Sequence, residues 1–333
     1  MINVINLAKD AIKRRGKVFK NKVAFRKYRK KIIVSIFRYV LLVAFSYILL
    51  YPLFFMISSS LKSASDFIDP TVVWVPKKFV FDNFAAAIKV LNIATTAWNT
   101  IRFELVSAFI EVCSCAVVAY GLSRFDFPEK KFLNVILILT ILVPAQMTII
   151  PMVINFKQMD FLGILHLIGN IIGKELRPNL LDTPLTFYLP SLFSVGLKAG
   201  IMIYIYSQFF KGLPKELEEA SWIDGAGPLK TFLRVIVPAS GVAILTVSMF
   251  SIIWHWNDYY LAVMYTSKNH PISAALANIY STLNVVMGYN RYDHAATSIA
   301  MAACLITILP MLIMYLVLQR RFIQSIDRVG IVG

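Results

Sequence analysis

Four stretches of this chain run without a single Lys, Arg, Asp or Glu for as long as a helix needs to cross a bilayer, roughly 20 residues. They are Tyr39–Ser58, Phe132–Phe156, Pro238–Trp256, whose one titratable group is His255, and Ala295–Leu318. Two further stretches are long and apolar but carry charge: Asn99–Leu122 holds Arg102, Glu104 and Glu111, and Thr183–Phe210 holds Lys198. Lipid supplies no hydrogen bonds to a backbone, so spans of this length must be helical. The expectation is an all-α membrane protein with six transmembrane helices, at about 32–58, 98–122, 132–156, 184–210, 236–265 and 295–319. A chain that is 58% hydrophobic, with mean hydropathy +0.67, is too apolar to cover itself with polar surface as a soluble domain.

The formal net charge of +16 raises the question of nucleic acid, which the placement of the charge answers. Residues 1–31 carry twelve Lys or Arg against one acid, Asp10. Putting this arm in the cytoplasm and alternating through six spans leaves 22 of the 34 basic residues inside, as the positive-inside rule requires. Both termini are then cytoplasmic, with a permease domain at 32–322, a short tail at 323–333 and the cell membrane as location. No aromatic-interleaved platform accompanies the arm, so nucleic acid is excluded as a partner. A full-length span follows the arm without a small-residue cleavage site, which excludes a signal peptide. Cys113, Cys115 and Cys304 all fall in spans and read as small packing residues, not as a metal set or disulfide framework.

Prolines recur within the spans, namely Pro144, Pro151, Pro184, Pro190 and Pro310, and each removes a backbone donor. Kinked helices suit either a lined pathway or ordinary packing. Outside, Lys157–Asp182 alternates apolar and polar residues near helical spacing, which fits a segment lying along the interface or covering a pathway mouth. No internal repeat is evident, which weighs against a secondary carrier built from two related halves.

The charged stretch KELEEASWIDGAGPLKTFLRVIVPAS, Lys215–Ser240, interrupts this apolar chain within a cytoplasmic loop at 211–235. Pro214 suits a first helical position, Glu216, Glu218 and Glu219 complement the dipole of a first turn, and Gly225 stops the helix. The expected helix is about eleven residues, on the order of 16 Å. Pro228 then opens a second helix with Leu229, Phe232, Leu233 and Ile236 on one side. An anionic lipid surface would repel the glutamates, so a protein groove is the better partner for this short rod.

The same residues carry a family resemblance. Glu219 to Ala226, E-A-S-W-I-D-G-A, followed by Ile236 and Pro238, resembles the EAA loop by which permeases of ABC importers dock into their ATPase, with Ser221 in place of the usual second Ala. AYGLSRFDFPEKKF (Ala119–Phe132), WHWNDYYLAV (Trp254–Val263) and the terminal RVGIVG are similar to segments of the maltose-transporter-type sugar permeases. The resemblance implies the type I ABC importer permease fold with a cytoplasmic coupling helix, and makes Glu216, Glu219, Ala220, Ser221, Asp224 and Gly225 the residues that meet the ATPase. It also implies a second permease, two ATPase subunits that bind ATP and Mg, an extracellular solute-binding protein, and a sugar or oligosaccharide as substrate.

No G-x-x-x-x-G-K-[ST] phosphate cradle is present, and His166, His255, His270 and His294 are scattered, so neither a catalytic nor a metal site is expected in this chain. Candidates for lining a pathway are Trp254, Trp256, Asn257 and Asp258, with Tyr259 and Tyr260 beside them, where aromatic faces and hydrogen-bonding groups suit sugar hydroxyls. Trp254 and Asp258, four apart, should share a helical face. Glu104 and Glu111, seven apart, are costly in lipid and should face protein, water or solute. The competing readings are an ion-coupled carrier, for which the charged hairpin has no use, and an ABC permease for a non-sugar solute.

Overall fold

A computed structural model of the chain describes residues 22–160 and 163–329. Most of the basic arm and the end of the glycine-rich terminus lie outside those residues. Two compact units divide the chain at Ser59 and Ser60. The described residues of the first form one helix, α1 (Lys22–Ser60), which continues through Pro52. Ile36, Phe37, Val43, Leu49 and Phe54 point outward all around it. A helix apolar on every side has lipid as its natural surroundings.

The described residues of the second unit form helices joined by loops, with no strand among them. Its main elements are α2 (Asp82–Leu91), α3 (Ile93–Arg124), α4 (Lys130–Leu142), α5 (Ala145–Lys157), α6 (Ile164–Ile172), α7 (Leu185–Leu192) and α8 (Ala199–Gly212). After these come α9 (Glu216–Ile223), α10 (Pro228–Ala239), α11 (Gly241–Asn257), α12 (Tyr260–Tyr265) and α13 (His294–Val329). Helix α3 is the centre, packed against α7, α8 and α11. Cys115, Ala116 and Ala119 on α3 meet Met202, Ile203 and Tyr206 of α8 and Ala243 and Val247 of α11. Small residues let backbones approach closely where lipid is as apolar as the interface, so dispersion and close fit hold the helices together. Cys115 is a packing residue in this core, as its span position suggested.

Three helices among the described residues, in α1, α3 and α13, are long and apolar enough to cross a membrane unbroken. The other expected spans are interrupted. Pro144 has extended backbone and starts α5, so the third span is the bent pair α4–α5. The fourth, expected at 184–210, is α7 and α8 with a break in which Ser194 and Lys198 adopt positive φ. The fifth, expected as continuous over 236–265, turns by 83° between α10 and α11 and stops at Asn257. Pro144 and Pro184 therefore begin helices instead of kinking them, because each lacks only a donor that a first turn does not use. The sixth expected span, 295–319, falls within α13. Helix α13 runs through Pro310 and on to Val329, so no helix end marks a separate tail at 323.

The segment 157–182 folds back through backbone bonds from Met159 N to Pro178 O and Leu180 N to Phe156 O. Its helix α6 is bounded by Gly163 and Gly173, both at positive φ, and exposes Ile164, Leu167, Ile171 and Ile172. At its end, Asp182 accepts hydrogen bonds from the amides of Ser267 and Lys268 and from the Ser267 hydroxyl, fixing the segment to the chain after α12. Burial raises the affinity of this carboxyl for its proton, but those bonds outweigh it and hold Asp182 below the ordinary aspartate range.

The contact of α8 with α4 has no spare room. A Cβ on Gly200 would sit 2.7 Å from Thr140 Oγ1 and 3.1 Å from Ile141 Cγ1. Gly200→Val is expected to cost about 1–3 kcal/mol of stability, read as a lower heat-inactivation temperature of the detergent-purified protein. An unchanged temperature would mean that the two helices part without penalty.

Candidate functional site

Two regions carry chemistry, both beside α3. At its Arg124 end lies the hairpin of α9 and α10. Gly225 has φ +77°, its amide donates to Trp222 O at 2.9 Å, and the Ala226 amide donates to Ser221 O at 3.0 Å. This pairing is a Schellman cap, which satisfies the last carbonyls of a helix and needs a left-handed residue where glycine pays no Cβ penalty. Gly227 then extends and Pro228 starts α10, while Ser221 Oγ and Thr231 Oγ1, 2.9 Å apart, cross-link the two helices. The helix is eight residues, shorter than the eleven expected, because Pro214 and Lys215 form only its lead-in turn and Asp224 its cap.

Glu216, Glu219, Ala220, Asp224 and Gly225 all face outward, and Ser221 is half-buried. Leu217, Trp222, Leu229 and above all Ile223, 86% exposed, form an apolar surface beside these acids. Glu218 is the exception among the glutamates. It is buried, with Oε2 2.8 Å from Nε of Arg124 at the end of α3. No sequence pattern distinguished it from its neighbours, since inward or outward facing depends on where α3 ends.

The second region is a cavity of about 80 Å³ lined by residues of α3, α5, α7, α11 and α12 and of the α7–α8 break, among them Glu104, Ser191, Gly196, Lys198, His255 and Asp258. Glu104 lies in a π-helical turn, Thr100–Leu105, and is fully buried. Neither of its carboxylate oxygens has a hydrogen-bond partner among the described residues. Asp258 is likewise buried, with Oδ1 accepting from the Leu261 amide and Oδ2 unpaired. A π turn adds a residue to the helix and is frequent at functional sites. Here it shares a segment with an acid that cannot be left ionised in a dry site without a partner.

Glu111, one of the expected pair, does not line this cavity with Glu104. Its Oε2 is 3.2 Å from His255 Nε2. The other ring nitrogen of His255 donates to Ser251 O at 2.9 Å, since a carbonyl can only accept. The remaining nitrogen, Nε2, is the one turned toward the Glu111 carboxylate. His255, Gly196 and Ser191 were absent from the sequence-based candidates, because His255 meets Glu111 across two helices and Ser191 and Gly196 reach it only at the break between α7 and α8.

The two tryptophans do not line this cavity. Trp254 packs on the α3–α8 core and stacks on Phe250 at 5.3 Å, away from Asp258. The shared face fails because α11 ends at Asn257 and Asp258 has extended backbone. Trp256 is buried and donates to Thr307 O at 3.1 Å, and Asn257 donates back to Ile253 O at 2.8 Å. Both border a separate surface hollow with Tyr259, while the Tyr259 and Tyr260 rings lie against each other. Of the candidates, Glu104 and Asp258 share the cavity. Among the described residues no group of His, Cys, Asp and Glu has the arrangement to hold a metal.

Residues 115–328 match the family of binding-protein-dependent transport system inner membrane components. The matched stretch holds the hairpin, α8, α11 and Asp258, whereas Glu104 and Glu111 precede it. The trehalose transport system permease protein SugB of Mycobacterium tuberculosis is 28% identical over 284 residues, spanning 85% of this chain and 93% of that protein. The diacetylchitobiose uptake system permease protein NgcG of Streptomyces coelicolor is 28% identical over 289 residues, 86% of each chain. A chain in the crystal structure of a bacterial ABC transporter that imports the acidic polysaccharide alginate superposes with a TM-score of 0.68 at 21% identity, covering 88% of this chain and 98% of that one. A multi-pass helical membrane protein with an exposed, rigidly capped hairpin is the class that the fold defines. This chain belongs to the binding-protein-dependent transport system inner membrane components, the permease subunits of ABC importers.

Gly196 marks how closely the cavity wall is fitted. A Cβ there would lie 2.8 Å from Glu111 Oε1 and 3.0 Å from Ser191 Oγ. Gly196→Ala should push the Glu111 carboxylate from His255, at a cost of about 1–2 kcal/mol, seen as a lower unfolding midpoint of the purified protein. A midpoint equal to that of the unaltered chain would mean that the wall yields freely.

Proposed function

We propose that the chain is one of two permease subunits of an ATP-driven importer of a sugar or oligosaccharide, held in the cell membrane with both termini in the cytoplasm. The second permease forms the other half of the pathway, two ATPase subunits bind ATP and Mg and hydrolyse it, and an extracellular receptor delivers the solute. This subunit has no catalytic site of its own in that assembly. Support for the sugar class comes from the names of the relatives and from the resemblance of Trp254–Val263. An ion-coupled carrier would have no use for the hairpin. Glu104 and Asp258 are the residues we assign to the solute route, as unpaired acceptors on a cavity between broken helices.

The observation that carries the reading is the rigidly capped α9, which turns Leu217, Trp222, Ile223 and two glutamates outward while a third anchors it. Differential contact at such a knob is what couples two states of an ATPase to two states of a pathway. Glu219→Lys is expected to weaken ATPase association by roughly 1–3 kcal/mol, the loss of a charge-assisted contact. Gly225→Val finds open space for its side chain but places a branched residue at φ +77°, at a cost of about 1 kcal/mol or more to the turn. It should lower solute-stimulated hydrolysis while the complex still forms. Co-purification with the ATPase and hydrolysis in membranes measure both effects, and normal values for the two variants would remove the docking role.

A further inference from the structure

The joint between the hairpin and the rest of the chain lies at one place, the cytoplasmic end of α3. Arg124 is its last residue, and the Arg124–Glu218 pair is enclosed, with the two side chains only 4% and 6% exposed. Arg124 also donates through Nη2 to Pro214 O at 3.3 Å, so it grips both the lead-in and the first turn of α9. One turn earlier on α3, the Tyr120 ring lies 4.9 Å from Phe232 of α10 and 6.3 Å from Phe210 at the end of α8. Both helices of the hairpin are therefore held by one turn of one helix, the first by charge and the second by ring packing.

That helix is continuous. From Arg124 the chain of α3 runs without a break back to Glu111, beside His255, and to Glu104 on the cavity. Thirteen and twenty residues at 1.5 Å each put these acids about 20 and 30 Å from the joint. Every other helix lining the cavity is short, interrupted or kinked before it reaches the hairpin, whereas α3 connects the two directly.

We propose that Arg124 and Glu218 form the positioning joint through which movement of the docked hairpin is delivered to the cavity, with α3 as the rod and Glu104 and Glu111 as its far end. This rests on the reading of α9 as the ATPase-docking helix, but adds which residues of this chain transmit the movement. An enclosed ion pair suits the task. Separation of the partners would leave an uncompensated buried charge, so the pair moves as a unit instead of slipping. Arg124 is suited to it because a planar guanidinium holds direction toward both the carboxylate and the Pro214 carbonyl, where a lysine ammonium would hold only charge.

The test uses the whole transporter, with ATPase subunits and solute receptor, reconstituted in vesicles. Arg124→Gln is expected to keep ATPase co-purification within about twofold while solute moved per ATP hydrolysed falls by about tenfold, within the usual range of allosteric coupling. Arg124→Lys should recover part of that ratio. The exchange pair Arg124→Glu with Glu218→Arg should recover more than either single substitution, which a merely structural residue would not do. A normal ratio in Arg124→Gln would overturn the proposal. Should Arg124→Gln fail to assemble, the exchange pair decides. An assembled and coupled exchange pair supports the joint, and one that is uncoupled or cannot assemble refutes it, because a mutual ion pair tolerates inversion. Failure of the docking reading would instead appear as unchanged ATPase association in Glu219→Lys, which does not involve Arg124, so the two failures are separable.

Discussion

Backbone groups that enter lipid must be satisfied within the chain, and the breaks in the helices of this protein fall where something other than the next turn meets that need. Pro144, Ser194 to Lys198 and Asp258 each interrupt a span, and the last two breaks contribute directly to one cavity. Irregular backbone at membrane depth is tolerated where it lines a cavity or is buried in protein. In the α7–α8 break, Val195 N donates to Pro190 O at 2.9 Å, Ser114 Oγ donates to Ser191 O, and Cys115 lies against Ala199 O. The unbroken helix α3 closes the gap by giving its side chains to the loosened backbone of its neighbours. The same helix can do so because its own face is small, with Ala116 and Ala119 admitting α8 closely.

That arrangement explains what the residue order could and could not reveal. The apolar stretches, the charge asymmetry and the helix stop at Gly225 were legible, because each depends on local composition or on a turn of a few residues. Glu104 stood out as a costly acid and Asp258 as a hydrogen-bonding group, but not as partners in one cavity. They meet only because two helices stop short, and i,i+4 spacing carries no information once α11 ends at Asn257. For the same reason Trp254 is drawn into the core instead of the cavity. His255 and Gly196 were unreadable, since the importance of each rests on Glu111 approaching from another helix. Glu218 was hidden among three similar glutamates, and its burial is decided by Arg124, some ninety positions earlier.

The hairpin and the cavity have opposite physical characters. The hairpin spends its backbone on rigidity, with a Schellman cap, a hydroxyl cross-link between Ser221 and Thr231, and a buried ion pair. The cavity keeps acids unpaired and helices interrupted. A stiff input and a loosely satisfied output, joined by one continuous helix, are what a subunit moved by a partner's hydrolysis requires, since only contacts that differ between two states can couple them.

The most direct measurement is chemical cross-linking at Ile223, the most exposed apolar residue of the hairpin. With Cys113, Cys115 and Cys304 changed to serine, a cysteine at Ile223 and, separately, one at the equally exposed Val285, in a segment expected outside the membrane, would each be treated with a short bifunctional thiol reagent in the assembled transporter. Docking of α9 predicts a covalent link from position 223 to an ATPase subunit that strengthens or weakens with nucleotide, and none from position 285. A link absent at 223, or equal at both positions, would contradict the placing of this hairpin against the ATPase.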